Sequence, residues 1–414
     1  MKTTTLLLSV ALVGATAALA AQQVNIAPSP QSNPLPQAVS PAPGAERSAT
    51  PASAQAPITG TRTAVQPSFA VTPVADFDTP WAMTFLPDRR MLVTEKKGQL
   101  KLVSADGRGM TVVAGTPAVD SAGQGGLMDV VPHPKFASNR MVYLSWSEAG
   151  SGGKRVALGR GRLASDGSRL EAFTTIYRAG PAVVGNGHYA GRIAFAPNGH
   201  LFFTAGDRQK FTPAQDPKAT LGKVVRLTDT GQPARGNPLA ARGFDPAIWS
   251  VGHRNPLGIA FDGRGRLWVQ EMGPQGGDEL NLVLPARNYG YPIVSNGDHY
   301  DGEPVADKII PDHPTRPEFE APKVSWNPVI SPAGLMIYTG RMFPAWRGNI
   351  FIGGLSSQAL VRVAVNGDTA REAERYDLGA RIREVEQGPD GAVYVLEDGR
   401  SGSQGRLLRL TARN

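Results

Sequence analysis

Short apolar runs recur along residues 68–414, and each ends in a turn rich in Pro, Asp, Asn or Gly. A second β-rich run follows each turn. The pattern predicts antiparallel hairpins whose tight turns need Gly or Asn in a left-handed conformation. This strand–turn–strand motif, which we call a phrase, occurs six times. The first strands begin at or near Trp81, Leu127, Arg192, Gly258, Gly334 and Ile382.

The spacing of the six phrases, roughly 45 to 80 residues, leaves room for four strands and their loops in each repeat. We therefore predict an all-β fold, a six-bladed β-propeller of four-stranded antiparallel blades. A single blade cannot cover both faces of its sheet, so the blades must pack around an axis. The alternative is a β-sandwich whose turns resemble one another by chance. In a closed ring, loops gather at a mouth of the central channel, where ligands usually bind.

The N-terminal region predicts export. Lys2 precedes an apolar stretch at residues 6–13, and Ala18-Leu19-Ala20 forms a small-x-small cleavage site, so residues 1–20 are typical of a signal peptide. A buried first helix is the alternative. Residues 21–67 contain nine prolines and predict a disordered linker. We expect a periplasmic or secreted protein without stable membrane insertion, whose residues 68–414 form the catalytic domain.

Composition narrows the possible chemistry. The chain has 48 Gly and 35 Pro, which disfavours a helical bundle, and no Cys, which excludes disulfides, thiolate metal sites and cysteine nucleophiles. The net charge of +8 comes from scattered basic residues, so we expect no nucleic-acid partner. The sequence has no Gly-x-Ser-x-Gly, phosphate-loop or Rossmann glycine motif, which disfavours serine hydrolases, ATPases and NAD enzymes.

Polar, Gly-rich segments lie between the hairpins and are expected to converge on one mouth of the channel. His188 follows a glycine in one of them, where a neutral imidazole could act as a general base. A hydrogen-bonded loop histidine is the alternative. Arg381 and Arg383 are two residues apart, so on a strand both side chains point to the same face. Together with Arg254 they predict a cationic pocket for a polycarboxylate or phosphate, unless they are solvated surface arginines.

Gly273-Pro274 and Asp278-Glu279 form an oxygen-rich segment. Carbonyl and carboxylate oxygens suit Ca²⁺, although their spacing is not that of an EF-hand loop. The isolated histidines and the absence of Cys disfavour zinc.

These phrases together resemble the soluble quinoprotein aldose sugar dehydrogenases of the glucose/sorbosone dehydrogenase family. The resemblance extends from about residue 74 to 411. It rests on Trp81-Ala-Met-Thr-Phe-Leu-Pro, Gly123-Gln-Gly-Gly-Leu, Gly187-His-Tyr-Ala-Gly-Arg, Gly252-His-Arg-Asn-Pro, Gly273-Pro-Gln-Gly-Gly-Asp-Glu, Asn288-Tyr-Gly-Tyr-Pro and Arg381-Ile-Arg-Glu-Val-Glu-Gln-Gly-Pro-Asp-Gly. It implies a six-bladed propeller that binds pyrroloquinoline quinone (PQQ) with Ca²⁺. The implied reaction oxidises the anomeric hydroxyl of aldose sugars to lactones and passes electrons to an external acceptor.

The resemblance also implies roles for individual residues. His188 matches the general base, with Arg254 beside it at the catalytic centre. The PQQ-binding residues would be Gln124, Arg254, Asn255, Arg381 and Arg383. The main-chain oxygens of Gly273 and Pro274 match ligands of the PQQ-bound Ca²⁺, and Glu279 and Tyr289 match a second, structural calcium site.

The chain departs from the family pattern at two positions. Ser356 stands where some relatives have a PQQ-binding lysine, and Lys323 where an aromatic residue is common on the substrate side. Trp326 is nearby and could stack on a sugar ring. A calcium-dependent propeller lactonase and a non-catalytic glycan-binding propeller are the alternative functions, and the oligomeric state, monomer or homodimer, stays open.

Overall fold

Six four-stranded antiparallel sheets make up the computed structural model, which describes residues 63–305 and 307–413. The predicted six-bladed β-propeller is therefore confirmed. The predicted signal peptide and residues 21–62 of the predicted linker lie outside the described residues. Val65, near the end of that predicted linker, pairs with the chain at Tyr376, donating its N–H to Arg375 O at 2.8 Å.

The strands follow the chain from blade to blade. After β1 (Phe69–Asp76), blade 1 contains β2 (Pro80–Phe85), β3 (Met91–Glu95), β4 (Gln99–Val103) and β5 (Met110–Val113). Blade 2 contains β6 (Leu127–Pro132), β7 (Met141–Gly150), β8 (Gly153–Leu163) and β9 (Leu170–Arg178). Blade 3 contains β10 (Ala190–Phe195), β11 (Leu201–Ala205), β12 (Lys223–Leu227) and β13 (Ile248–Val251).

Blade 4 carries a small extra sheet. Its strands are β14 (Pro256–Phe261), β15 (Leu267–Glu271), β17 (Asp278–Val283) and β19 (Val324–Trp326), and β16 (Gln275–Gly276) pairs with β18 (Gly297–Asp298) beside them. Blade 5 contains β20 (Pro332–Ile337), β21 (Ile350–Gly354), β22 (Ala359–Asn366) and β23 (Thr369–Asp377). The helices are short: α1 (Phe136–Asn139) and 3₁₀ turns at Thr212–Ala214, Ala240–Arg242, His313–Thr315 and Pro344–Trp346.

Blade 6 closes the ring with strands from both ends of the described chain. Its strands β24 (Ile382–Gln387), β25 (Val393–Glu397) and β26 (Arg406–Ala412) are completed by β1, which pairs antiparallel with β26 from Phe69 opposite Ala412 to Asp76 opposite Arg406. The hydrophobic faces of neighbouring blades pack on one another, so the core is divided into clusters between the blades.

The six innermost strands, β2, β6, β10, β14, β20 and β24, share an irregular beginning. Each has six residues and shifts register against its neighbour near its N-terminal end. Such a bulge leaves a backbone N–H without a partner in the strand ladder. In blades 1 to 3 this N–H donates to a hydroxyl of the second strand, that of Thr94, Ser145 or Thr204, at 2.9–3.0 Å.

The same three hydroxyls also join neighbouring blades. The hydroxyls of Thr94, Ser145 and Thr204 donate to main-chain oxygens of the next blade: Met128 O, Gly191 O and Pro256 O, at 2.5–3.0 Å. One buried side chain thus completes its own sheet and fixes the position of the adjacent one. This brings the N-terminal ends of the innermost strands into a fixed arrangement.

A charge cluster, which we call the channel cluster, lies on innermost strands of blades 2, 3 and 6. It consists of the buried Asp129, Arg192 and Glu384 and the half-buried Glu386. The Arg192 guanidinium bonds Glu384, lies 3.4 Å from Asp129 Oδ1 and stacks 4.1 Å from the Trp81 ring centroid. Burial raises the pKa of Glu384 to about 7, despite the opposing charge of Arg192. The pKa of Glu386 is also raised, by burial and by Glu384 and Asp129. One guanidinium cannot neutralise three carboxylates, so folding favours the protonated form of the two glutamates.

Replacing Glu386 with glutamine is expected to make stability less dependent on pH. The folded pKa values in this cluster lie above the unfolded values, so the native state binds more protons and wild-type stability falls as pH rises from about 4.5 to 7. Glu386→Gln removes one of the three negative charges. The melting temperatures of the two proteins should be closest at pH 5, and the variant should be the more stable at pH 8. The opposite trend would contradict proton retention by the cluster.

No helix among the described residues is long and apolar enough to cross a membrane.

Candidate functional site

A cavity of about 230 Å³ lies where loops of several blades meet. The predicted residues Gln124, Asn255, Arg381 and Arg383 all line it. The other lining residues include Thr79, Pro80, Trp81, Lys96, Tyr189, Ala190, Leu257, Met272, Ser331, Leu355, Asp398 and Arg400.

The bulges of the innermost strands supply part of this lining. Trp81, Leu257 and Arg383 are each the extra residue at the register shift of β2, β14 and β24. All three line the cavity and are at most 7% exposed. The channel cluster contacts the same residues, because Arg192 stacks on Trp81 and its Nε donates to Leu257 O at 2.8 Å. The charged network therefore supports one wall of the cavity from behind.

Three arginines of blade 6 surround one buried carboxylate. Arg381 Nε, Arg383 Nη2 and Arg400 Nη2 lie 3.0, 3.3 and 3.5 Å from Asp398 Oδ2. Burial lowers the pKa of Arg383 to about 10, while Asp398 opposes this shift. Burial alone would raise the pKa of Asp398, but Arg383 and Arg381 lower it, so this carboxylate is ionised. Three positive charges share one negative charge, which leaves the cavity wall with excess cationic charge.

Lys96 adds a further positive charge to the same wall. It follows β3 and lines the cavity, and its Nζ donates to Gly123 O at 2.7 Å. Burial, together with the charges of Arg400 and Arg383, lowers the pKa of this lysine. The cationic wall is thus built from blades 1 and 6, and it suits a ligand that carries several carboxylates or phosphates.

His188 and Asp207 form a buried pair that adjoins the cavity through the lining residues Gln124 and Tyr189. The pair and the predicted Arg254 do not belong to the lining itself. His188 Nδ1 lies 2.7 Å from Asp207 Oδ1, and the two residues are 6% and 0% exposed. Burial and the Arg254 charge lower the pKa of His188, so its imidazole is neutral at physiological pH. Burial opposes ionisation of Asp207, but His188 and Arg254 lower its pKa below the ordinary value. An ionised carboxylate only accepts hydrogen bonds, so Nδ1 of His188 carries the proton and Nε2 keeps its lone pair.

The loop before β10 holds His188 in an unusual backbone conformation, with φ of +48°. Its N–H donates to Gln124 Oε1 at 2.8 Å, and the buried Arg208 guanidinium donates to Gly187 O and Gly185 O at 2.8 and 2.7 Å. A Cβ at Gly206 would lie 2.2 Å from His188 O, so only glycine allows this close approach. The imidazole is thereby fixed before any ligand binds.

Arg254 connects the histidine pair to the predicted metal segment. Its side chain donates to Gly273 O at 2.5 Å, and its own N–H donates to Glu271 Oε2 at 2.6 Å. Within the part of the chain that the structure describes, Arg254 Nε and the buried Oδ1 of Asn255 have no hydrogen-bond partner. Because buried polar atoms are normally satisfied, these two atoms indicate a ligand or water at this point.

The predicted calcium ligands Gly273 and Pro274 both have partners from the chain. Gly273 O accepts from Arg254, and Pro274 O accepts from the Tyr300 hydroxyl at 3.3 Å. Among residues 63–305 and 307–413, no group of three or more His, Asp or Glu side chains is arranged to hold a metal ion. Any Ca²⁺ here would therefore depend on main-chain oxygens and on a shift of the Arg254 guanidinium.

The predicted second calcium residues lie in a buried polar network away from the cavity lining. Glu279 Oε2 accepts from Asn281 at 3.0 Å, and Glu279 Oε1 lies 3.5 Å from His313 Nε2. The Tyr289 hydroxyl donates to Leu282 O and accepts from Leu284 N, so only the main chain of Tyr289 is available to a metal. In the described structure, both ring nitrogens of His313 and Asn281 Oδ1 lack hydrogen-bond partners.

The residues singled out for the substrate side lie elsewhere. Trp326 is 1% exposed, donates to Glu372 at 2.7 Å and belongs to the core between blades 4 and 5, so the expectation that it stacks on a sugar is wrong. Lys323 pairs with Glu320 and is not part of the cavity lining. Ser356 follows the lining residue Leu355 and donates to Val329 O at 3.4 Å.

Sequence reasoning missed several residues of the site: Lys96, Asp207, Asp398, Arg400 and the supporting Arg192. A signal was present for the last, because single charged residues interrupt otherwise apolar innermost strands at Asp129 and Arg192. Asp207 and Asp398 follow the buried ends of second strands, a position that gave no comparable signal.

The fold and the site define the class of protein, a six-bladed β-propeller with a cationic cavity suited to an anionic ligand and with a buried His–Asp pair. Comparisons with known proteins narrow this class. The family model for glucose/sorbosone dehydrogenases matches residues 77–409. The aldose sugar dehydrogenase YliI of Escherichia coli is 39% identical over 347 residues, which is 81% of this chain and 91% of that protein.

Two solved structures are similar over most of the chain. The apo-form of the soluble aldose sugar dehydrogenase of Escherichia coli has a TM-score of 0.78 at 38% identity, covering 83% of this chain and all of that one. The PQQ-bound aldose sugar dehydrogenase of Streptomyces coelicolor has a TM-score of 0.68 at 28% identity, covering 84% and 99%. The chain belongs to the glucose/sorbosone dehydrogenase family. It is accordingly an oxidoreductase of the sugar dehydrogenase type, as the sequence motifs predicted.

Proposed function

We propose that this protein oxidises the anomeric hydroxyl of aldose sugars to lactones with PQQ and Ca²⁺ as cofactors. The observation that carries the proposal is the excess positive charge in the cavity, next to a neutral buried imidazole with a free lone pair. A lactonase or a glycan-binding propeller has no need of this arginine cluster. The natural electron acceptor would be external, and the predicted signal sequence supports a periplasmic or secreted location.

The cavity residues fit PQQ. The cofactor carries three carboxylates, and the cavity wall offers Arg381, Arg383, Arg400 and Lys96 against the single carboxylate of Asp398. The unpartnered Asn255 Oδ1 adds a polar contact at the same wall. Gly273 and Pro274 fit Ca²⁺ by the type of their donor atoms, because Ca²⁺ prefers hard oxygen ligands such as main-chain carbonyls.

When bound, PQQ would supply a two-electron acceptor whose reactivity Ca²⁺ would increase. The protein's part is to position the sugar and remove its proton. His188 Nε2 accepts the proton of the sugar hydroxyl, while Nδ1–H stays bonded to Asp207. The carboxylate of Asp207 stabilises the imidazolium that results, and it prevents the ring from turning. The low pKa of free His188 keeps the ring ready to accept a proton at neutral pH.

Reconstitution of the apo-protein tests this function. We expect dye-linked oxidation of aldoses only when PQQ and Ca²⁺ are both added, with the quinone absorbance appearing on the protein. Mg²⁺ in place of Ca²⁺ is the control, because it dehydrates reluctantly and requires a stricter geometry. Lactone hydrolysis without PQQ would favour the lactonase instead. Sugar binding that is unaffected by PQQ, without electron transfer, would favour the glycan-binding propeller.

A further inference from the structure

The contacts of Lys96 distinguish it from ordinary surface lysines. Its N–H donates to Thr79 O and its carbonyl accepts from Leu127 N, both at 3.0 Å. The side chain is equally confined, since a Cβ at Gly126 would lie 2.6 Å from Lys96 Cγ. The bond from Nζ to Gly123 O completes this placement. The ammonium is therefore fixed at the cavity wall by the loop that also carries Gln124.

The charge of Lys96 is not neutralised by the protein. Across the described part of the chain, its Nζ forms one hydrogen bond, to a neutral carbonyl, and no ion pair. The charges that lower its pKa are those of Arg400 and Arg383, which are also positive. An ammonium beside guanidinium groups is repelled by them, and an anion placed between them relieves this repulsion. The arrangement therefore favours an anionic ligand at this wall.

The neighbouring Lys97 shows the opposite arrangement. It is exposed and its Nζ bonds Asp78 Oδ2 at 2.7 Å. Lys96 therefore differs from Lys97 in two ways: it lines the cavity, and no carboxylate among the described residues pairs with it.

We infer that Lys96 binds a carboxylate of PQQ. This inference rests on the proposed function. Lys96 would contact the cofactor rather than the sugar, because it belongs to the same wall as Arg383, Arg400 and Asp398. A charge-assisted hydrogen bond of this kind corresponds to a change in affinity of about 10-fold or more.

Titration of the full-length apo-protein with PQQ, in excess Ca²⁺, measures this contact without turnover. Quenching of tryptophan fluorescence reports binding, since Trp81 lines the cavity. We expect Lys96→Met to raise the Kd for PQQ about 10-fold or more, and Lys96→Arg to keep most of the affinity. The matched control, Lys97→Met, should stay within about twofold of wild type.

The affinity of the wild type should also fall more steeply with salt than that of Lys96→Met, because a cationic contact is lost in the variant. An unchanged Kd in Lys96→Met, or an equal loss of affinity in Lys97→Met, would overturn the inference. Lys96→Gln gives the same comparison if Lys96→Met melts at a lower temperature than wild type. Failure of the wild type to bind PQQ would instead refute the proposed function itself.

Discussion

Replacing His188 with alanine is expected to lower the turnover number for aldose oxidation by about 100-fold or more while PQQ still binds. The imidazole is the neutral base beside the cavity, and Asp207 fixes its protonated nitrogen away from the substrate. The cationic wall formed by Arg381, Arg383 and Arg400 is untouched by the change. Steady-state kinetics with a dye acceptor, together with PQQ titration by fluorescence, would separate the two effects.

His200 provides the control for this prediction. It lies in the β10–β11 turn, at the opposite end of the strand that follows His188. His200→Ala should leave both turnover and PQQ affinity within about twofold of wild type. Wild-type turnover in His188→Ala would remove this histidine from the mechanism, whereas loss of PQQ binding would indicate a role in the cavity's structure.

Removal of Arg192 is expected to reduce the free energy of unfolding by about 3–5 kcal/mol, because Asp129 and Glu384 would be left buried without their cation. Arg192 is 4% exposed and contacts groups from blades 1, 2, 4 and 6. Urea denaturation of Arg192→Met at neutral pH measures the loss. Part of it should return at pH 5, where the carboxylates protonate more readily.

Arg162 supplies a matched comparison on the surface of blade 2. Its partner Glu171 lies 2.5 Å away, but the Arg162 side chain is 59% exposed. Arg162→Met should therefore cost less than about 1 kcal/mol. The double variant Arg192→Met/Glu384→Leu should be more stable than Arg192→Met alone, since an apolar pair avoids the unpaired charge. If Arg162→Met and Arg192→Met lowered the free energy of unfolding equally, burial of the channel cluster would contribute little to stability.

The architecture could be predicted because its signals are local. Each innermost strand and its turn occupy a short, continuous stretch of sequence. The repeats that begin near Trp81 and Ile382 could therefore each be recognised as a blade from their own residues alone. The order of loops in a ring then brought Gln124, Asn255 and Arg383 to one cavity. Motif resemblance added the chemistry that spacing alone could not specify.

The remaining site residues depend on contacts between distant segments. Lys96 becomes part of the cationic wall only because blade 1 closes against blade 6, and Asp398 joins three arginines through the fold of one sheet. Trp326 shows the converse, because a tryptophan next to an expected substrate position is turned into the core by strand pairing with Asp278. In each case the deciding contact involves residues that no local pattern connects.

The pairing of β1 with β26 has a consequence for the order in which the fold and the site form. Arg381, Arg383, Asp398 and Arg400 all belong to blade 6 or its adjoining turns, and that sheet is complete only when the first described strand joins the last. The site could therefore bind a polyanion with high affinity only after β1 has paired with β26 and closed the ring. By mass action, a bound ligand would then stabilise the pairing of these two strands and oppose opening of the ring between them.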